Sequence, residues 1–88
     1  MKTVVFYREH TDYARSVNEF VEMFGRRYPD KKITTKDLET REGAAEASLY
    51  DITQYPAIMV MNDGGGVMQL WQGEQLPLID EVAAYALG

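Results

Sequence analysis

The sequence predicts a single α/β domain over residues 1–88, in which a four-stranded mixed sheet carries helices on both faces. Runs of β-branched and aromatic residues alternate with segments whose apolar residues recur every three or four positions, which indicates the order β-α-β-α-β-β-α. Two of the runs are apolar at successive residues, as in strands that are buried on both faces. The length suits one small core.

The first strand and the first helix have the clearest signals. Residues 3–8 form a β-branched and aromatic run without helical spacing, which predicts a buried strand. Thr11 or Asp12 is expected to cap the next helix, and Gly25 with Pro29 brackets its end. The apolar face of this helix is predicted to hold Val17, Phe20, Val21 and Phe24.

The middle of the chain predicts a weaker strand and a second helix. Residues 33–37 alternate and are rich in threonine, which favours a short strand at a sheet edge, with Leu38 continuing it. Residues 42–50 are rich in alanine and glutamate, which favours a helix. The apolar residues expected along this helix and just after it are Ala45, Leu49 and Ile52.

The last part of the chain predicts a hairpin and a closing helix. Pro56 opens an apolar strand at 57–61, and the glycine-rich turn 62–66 leads into an antiparallel strand at 67–72. Pro77 suits the first turn of the last helix. The inward face of that helix is predicted to hold Ile79, Val82, Ala83 and Ala86.

Composition and charge exclude several classes of function. The net charge is −5, and all nine basic residues lie at or before Arg41, while residues 42–88 carry seven acids. We expect no nucleic-acid partner, because the cations needed to neutralise phosphates are not clustered. No apolar run suits a signal peptide or a membrane span, which predicts a cytoplasmic protein. The chain has no cysteine, so disulfides and thiolate metal sites are excluded.

Two segments resemble the thioredoxin superfamily. Its members carry an aromatic pair, three variable residues, a Cys-x-x-Cys and a basic residue, and residues 6–15 (FYREHTDYAR) are similar to that segment, with Thr11 and Ala14 at the cysteine positions. Residues 49–58 (LYDITQYPAI) resemble the stretch that leads to the family's cis-proline, and Pro56 stands at that proline. The resemblance implies a thioredoxin-like fold with a cis bond before Pro56. The end of the chain also resembles glutaredoxins.

The departures from the family pattern decide the chemistry. Thiol–disulfide exchange needs a thiolate at the first position of the motif and a second thiol that resolves the mixed disulfide. Thr11 and Ala14 supply neither, and Val5 stands where thioredoxins place a buried acid. We therefore expect a protein without redox activity, without another enzymatic activity and without a cofactor or metal.

The resemblance also implies a binding surface that needs no cysteine. In the family, main-chain groups of the residue before the cis-proline pair with an extended peptide or with glutathione. The first hypothesis is therefore a module that binds an unknown protein or peptide. Its groove is predicted to consist of His10, Thr11, Asp12, Tyr13, Ala14, Tyr55 and Pro56. The alternative for the two tyrosines is that their rings only cover the sheet edge.

Two other functions stay open at this stage. Thr11, at a helix start, could hydrogen-bond the thiolate of bound glutathione, as hydroxyl residues do in glutathione transferases. The fourth strand could instead meet a neighbouring chain through Trp71, unless that ring lies under the last helix. Strict alternation would place Val67, Gln69 and Trp71 on one face and Met68 and Leu70 on the other. We expect a monomer or a weak homodimer.

Overall fold

The computed structural model describes residues 2–87, with side chains from Lys2 to Tyr85, and it confirms the predicted α/β class. The elements, in chain order, are β1 (Lys2–Tyr7), α1 (Ala14–Arg27), β2 (Ile33–Asp37), α2 (Arg41–Leu49), β3 (Ala57–Met61), β4 (Val67–Gln72) and α3 (Ile79–Leu87). The four strands lie in the order β2-β1-β3-β4. β1 pairs parallel with β2, and β3 pairs antiparallel with both of its neighbours. None of the described helices is long and apolar enough to cross a membrane.

The central strands β1 and β3 are buried on both faces and divide the core into two clusters. The cluster on the side of α2 contains Val4, Phe6, Leu38, Ala47, Ile52, Ala57, Met59 and Met61. The cluster on the side of α1 and α3 contains Val5, Val17, Phe20, Phe24, Ile58, Val60, Val82 and Ala83. We refer to them as the α2-side cluster and the α1/α3-side cluster. The helices therefore cover both faces, as predicted.

Helix α1 buries the predicted face but begins and ends differently from the prediction. Its N-cap is Tyr13, which makes no side-chain capping bond. The hydroxyl of Thr11 instead donates to the Arg8 carbonyl at 2.6 Å, so the capping predicted for Thr11 or Asp12 is wrong. Gly25 lies within the helix, which continues to Arg27 and is closed by Tyr28 N–H donating to the Phe24 carbonyl.

Helix α2 packs through small residues, and of the three apolar residues predicted along it and just after it, Ile52 alone is buried. Gly43 and Ala47, one turn apart, face the core, whereas Ala45 is exposed and Leu49 is 73% exposed. The reason is close approach, because a Cβ on Gly43 would lie 2.1 Å from the carbonyl oxygen of Asp37. The N-cap is Thr40, whose hydroxyl accepts from Gly43 N–H at 3.0 Å.

The strand that precedes α2 ends one residue earlier than expected. β2 lies at a sheet edge, as predicted, and stops at Asp37. Leu38 does not continue it but turns inward, where it is buried and donates its N–H to the Tyr7 carbonyl at 2.9 Å.

The β3–β4 hairpin contains a register shift that the alternation pattern did not predict. Gly65 adopts a φ of 88°, and Gly66 donates its N–H to the Asn62 side chain at 2.9 Å. The register changes between Val60 and Met61, so that Met61 pairs with Val67. Paired residues share a sheet face, which places Val67 on the α2 side and not beside Gln69.

Helix α3 begins two residues after Pro77 and is tied to α1 at its start. Val82 and Ala83 are buried and Ile79 is half-buried, while the side chain of Ala86 lies outside the described residues. Tyr28 OH donates to Asp80 Oδ1 at 2.8 Å, and Arg27 Nη1 donates to the same oxygen at 3.1 Å. These bonds join the end of α1 to the first turn of α3.

Alanine at Gly43 and at Gly25 should have opposite effects on stability. Gly43→Ala puts a methyl group into the Asp37 backbone and should lower the free energy of unfolding by about 1–3 kcal/mol. Gly25→Ala meets no atom within 4 Å and should raise it by about 0.5–1 kcal/mol, because alanine restricts the unfolded chain and favours helix. Urea unfolding measures both. Equal effects would contradict the packing of α2 on β2.

Acid should weaken the link between α1 and α3. The hydrogen bonds from Tyr28 and Arg27 hold the pKa of Asp80 below its ordinary value. The stabilising effect is therefore present above the ordinary pKa of about 4 and is lost as the pH falls through the lower, native pKa. Asp80→Asn should lower the melting temperature at neutral pH, and the difference from wild type should shrink in acid. Asp30→Asn, at an exposed loop residue, is the control and should leave the melting temperature at neutral pH nearly unchanged.

Candidate functional site

The predicted site residues lie at one end of the sheet, which we call the site end. Phe6 pairs with Ala57 and Tyr7 with Asp37, so that the end of β1 meets the start of β3 and the end of β2. Ala57 also pairs with Gln72, which brings the end of β4 to the same place. The site end therefore consists of three loop segments, namely residues 8–13, 53–56 and 73–74.

The loop of residues 53–56 is held from the side of β4. The Tyr55–Pro56 peptide bond is cis, and Pro56 is fully buried. The side-chain oxygen of Gln72 accepts from the N–H groups of Thr53 and Gln54, at 2.9 and 3.2 Å. Gly73, at a φ of 110°, donates its N–H to the Pro56 carbonyl at 3.0 Å. Main-chain groups on both sides of Tyr55 are thus fixed.

The ring of Tyr55 packs into the fold, whereas its main-chain groups have no partner among the described residues. Its hydroxyl donates to the Ile52 carbonyl at 2.9 Å, and its ring packs against the α2-side cluster. Among the described residues, neither its N–H nor its carbonyl has a hydrogen-bond partner. Main-chain groups without a protein partner can bond to water or to an incoming chain, so this donor and acceptor on a fixed loop are available to a bound segment.

Tyr13 lies on the opposite face of the sheet from Tyr55. Its ring packs against the α1/α3-side cluster, and its hydroxyl accepts from Arg8 N–H at 3.1 Å. The two predicted groove tyrosines therefore do not form one aromatic surface. Each ring is half-buried and completes a separate cluster, which agrees with the alternative that these rings cover the sheet.

The start of α1 keeps the backbone geometry of a helix N-terminus but offers little side-chain chemistry. Ala14 is buried and donates its N–H to the Thr11 carbonyl at 3.2 Å. A hydroxyl can donate one hydrogen bond, and the Thr11 hydroxyl already donates its bond to the Arg8 carbonyl. Stabilising a bound thiolate would require this bond to break. His10 is exposed on the same loop.

A small cavity lies beside the start of α1. It measures about 260 Å³ and is lined by Asp12, Tyr13, Ser16 and Glu74. Two of these residues, Ser16 and Glu74, were not among the predicted site residues. Both had a signal in the sequence, because Ser16 lies one helical turn after Tyr13, and Glu74 directly follows the glycine that the site end needs.

The charges at the site end are mainly negative. Glu9, Asp12 and Glu74 are exposed acids, and none of them forms an ion pair among the described residues. Burial raises the pKa of Tyr7, and the carboxylates of Glu9 and Asp37 raise it further. Tyr7 therefore stays protonated at neutral pH. The carboxylates of Glu9, Asp12 and Glu74 make the potential at this surface negative, so that it attracts cations.

Trp71 and a second cavity lie away from these loops. The Trp71 ring is half-buried under α3 and meets Tyr85 edge to face, with ring centroids 5.6 Å apart. A cavity of about 510 Å³ lies at the opposite end of the sheet, where Lys2 pairs with Met61. It contains none of the predicted site residues.

The fold is similar to that of solved thioredoxin structures. The alignment with thioredoxin 1 from Thermosipho africanus covers 99% of this chain and 91% of that thioredoxin, with a TM-score of 0.72 and 13% identity. Thioredoxin from Fasciola hepatica is 20% identical, with 93% and 73% of the two chains covered and a TM-score of 0.71. Mitochondrial thioredoxin 3 from Saccharomyces cerevisiae, in its oxidized form, has the same coverage of this chain, a TM-score of 0.71 and 16% identity.

The comparison at the level of sequence is different. No protein-family model and no curated protein matches the chain. At these identities the structural likeness concerns the fold alone, and the cysteines that carry thiol chemistry have no counterpart here. The chain therefore has a thioredoxin-like fold, with a helix start and a cis-proline loop at the same end of the sheet and no cysteine.

Proposed function

We propose that this domain binds an extended peptide segment of a partner protein at the site end, without changing it chemically. The observation that carries the proposal is the unpaired main-chain N–H and carbonyl of Tyr55, on a loop held at the N–H groups of Thr53 and Gln54 and at the Pro56 carbonyl. An extended chain laid along this loop would pair with both groups, as in strand addition. The fixed loop lowers the entropy lost on binding.

The charges at the site end support a basic partner segment. Asp12 and Glu74 line the cavity beside the start of α1, and Glu9 is exposed nearby on the preceding loop. A lysine or arginine side chain of the partner would meet these carboxylates while its main chain pairs with Tyr55. Such rim charges contribute mostly to the association rate and to selectivity.

A selected peptide should lose affinity when the charge beside the cavity is reversed. Peptides enriched from a displayed random library on the wild-type domain are measured by calorimetry. Glu74→Lys should weaken binding about two- to fivefold, as expected when one exposed ion pair is lost. Asp30→Lys, which makes the same change at an exposed loop residue away from the site end, should leave the affinity unchanged.

NMR spectroscopy with the same peptides identifies the backbone contact. On addition of the peptide, the Tyr55 amide should shift and become protected from hydrogen exchange. An enriched peptide that leaves the Tyr55 amide unaffected, or that binds Glu74→Lys and Asp30→Lys equally well, would show that the site end is not the binding surface. Variants of Tyr13 or Tyr55 are less informative, because both side chains also hold the fold together.

Two cysteines introduced at residues 11 and 14 should form a disulfide. The turn closed by Ala14 N–H and the Thr11 carbonyl brings these two Cα atoms within about 7 Å, which suits a disulfide. The double variant Thr11→Cys/Ala14→Cys should therefore oxidise within one chain. Alkylation followed by mass spectrometry measures the free thiols, with Thr11→Cys alone as the control. Oxidation only between chains would contradict the retained helix start.

A further inference from the structure

The outer edge of β4 differs from the other edge of the sheet. β4 (VMQLWQ) contains no charged residue and no proline, although edge strands usually carry such residues to prevent pairing. The opposite edge strand, β2, ends in Lys36 and Asp37, and Lys36 forms an ion pair with Glu46 of α2 at 3.2 Å. Only the β2 edge is therefore protected by charge.

The hydrogen bonds show which main-chain groups of β4 point outward. Gly73 N–H donates to the Pro56 carbonyl, so the groups of Gly73 point toward β3. Because the direction alternates along an antiparallel strand, those of Trp71 also point inward, and those of Gln72 and Leu70 point outward. The hydrogen bond of Leu70 N–H is consistent with this direction, because it is donated to the Gln69 side chain at 2.9 Å and not to a carbonyl of β3.

Exposed apolar side chains accompany these groups. Val67 is 46% exposed and Met68 39% exposed, and half-buried Leu70 packs against the α2-side cluster. Exposed apolar surface beside an unpaired strand edge is typical of an interaction site. Trp71, by contrast, is covered by α3, so the predicted contact through Trp71 is replaced by one through the strand edge.

We infer that β4 is a self-association edge, at which a second copy of this chain pairs antiparallel with the first. The occupant follows from charge and symmetry. Each copy carries a net charge of −5, so copies approach most easily where neither has a charge. A two-fold axis across β4 brings Val67–Gln72 against its own uncharged sequence. The outward main-chain groups of Leu70 and Gln72 then bond to β4 of the second copy, and the apolar side chains of the two strands become neighbours. The observations behind this inference do not depend on the proposed peptide site.

The Gln69 side chain competes with a second copy for the N–H group of Leu70. Its oxygen accepts from Leu70 N–H, and its nitrogen donates to the Tyr85 hydroxyl at 3.1 Å. Pairing with a second copy replaces the first of these bonds. Removing the side-chain acceptor should therefore strengthen association.

Sedimentation velocity over a micromolar-to-millimolar range tests the inference. Wild-type protein should form dimers as the concentration rises. Met68→Lys should weaken dimerisation at least about tenfold, because it places two like charges beside the pairing strands. Thr35→Lys, the same change at an exposed position of β2, should leave dimerisation unchanged, and Gln69→Ala should strengthen it. Circular dichroism and urea unfolding establish that each variant is folded.

The contradicting outcomes are distinct. A wild-type chain that stays monomeric throughout the range overturns the inference. So does a dimer that Thr35→Lys weakens as much as Met68→Lys does. Hydrogen exchange at increasing concentration provides the last check, since the Leu70 and Gln72 amides should gain protection. A dimer in which these amides exchange as in the monomer would use another surface.

Discussion

Burial of β1 and β3 on both faces is the constraint on which the rest of this domain depends. Val4 and Phe6 project into one cluster and Val5 into the other, and all five residues of β3 are buried. Each buried apolar side chain contributes about 1.5–3 kcal/mol. Neither strand can be exposed on one side without losing much of that contribution. The chain must therefore supply helices for both faces, and this requirement fixes the crossover connections.

The same constraint explains why the site end can persist without cysteine. The end of β1 and the start of β3 are neighbours because Phe6 pairs with Ala57 in the middle of the core. Pro56 is buried at that junction, and Gln72 holds the preceding loop from the next strand. None of these contacts involves Thr11 or a thiol. A chain without cysteine therefore lacks thiol chemistry but can still have the contacts that place these loops together.

The sequence predicted the strands, their order along the chain and the buried face of α1, because those signals are periodic and long. It failed where one close contact outweighs periodicity. Gly43 lets α2 approach Asp37, so small residues face the core and Leu49 faces solvent. A register shift likewise moves Val67 to the other face. At the site, the segments were predicted through a family resemblance, but side-chain direction was not, since neighbouring loops can place rings on either face.

Gln72 lies between the peptide site proposed at the site end and the self-association edge proposed for β4. Its side chain holds the loop beside Tyr55, while its main-chain groups point to the outer edge of β4. A strand added at that edge would fix the Gln72 backbone and thereby restrict the side chain that positions residues 53 and 54. Restriction before binding reduces the entropy that a later ligand must lose. Pairing of two copies along β4 would therefore favour peptide binding at the site end, and linkage requires that bound peptide favour the pair equally.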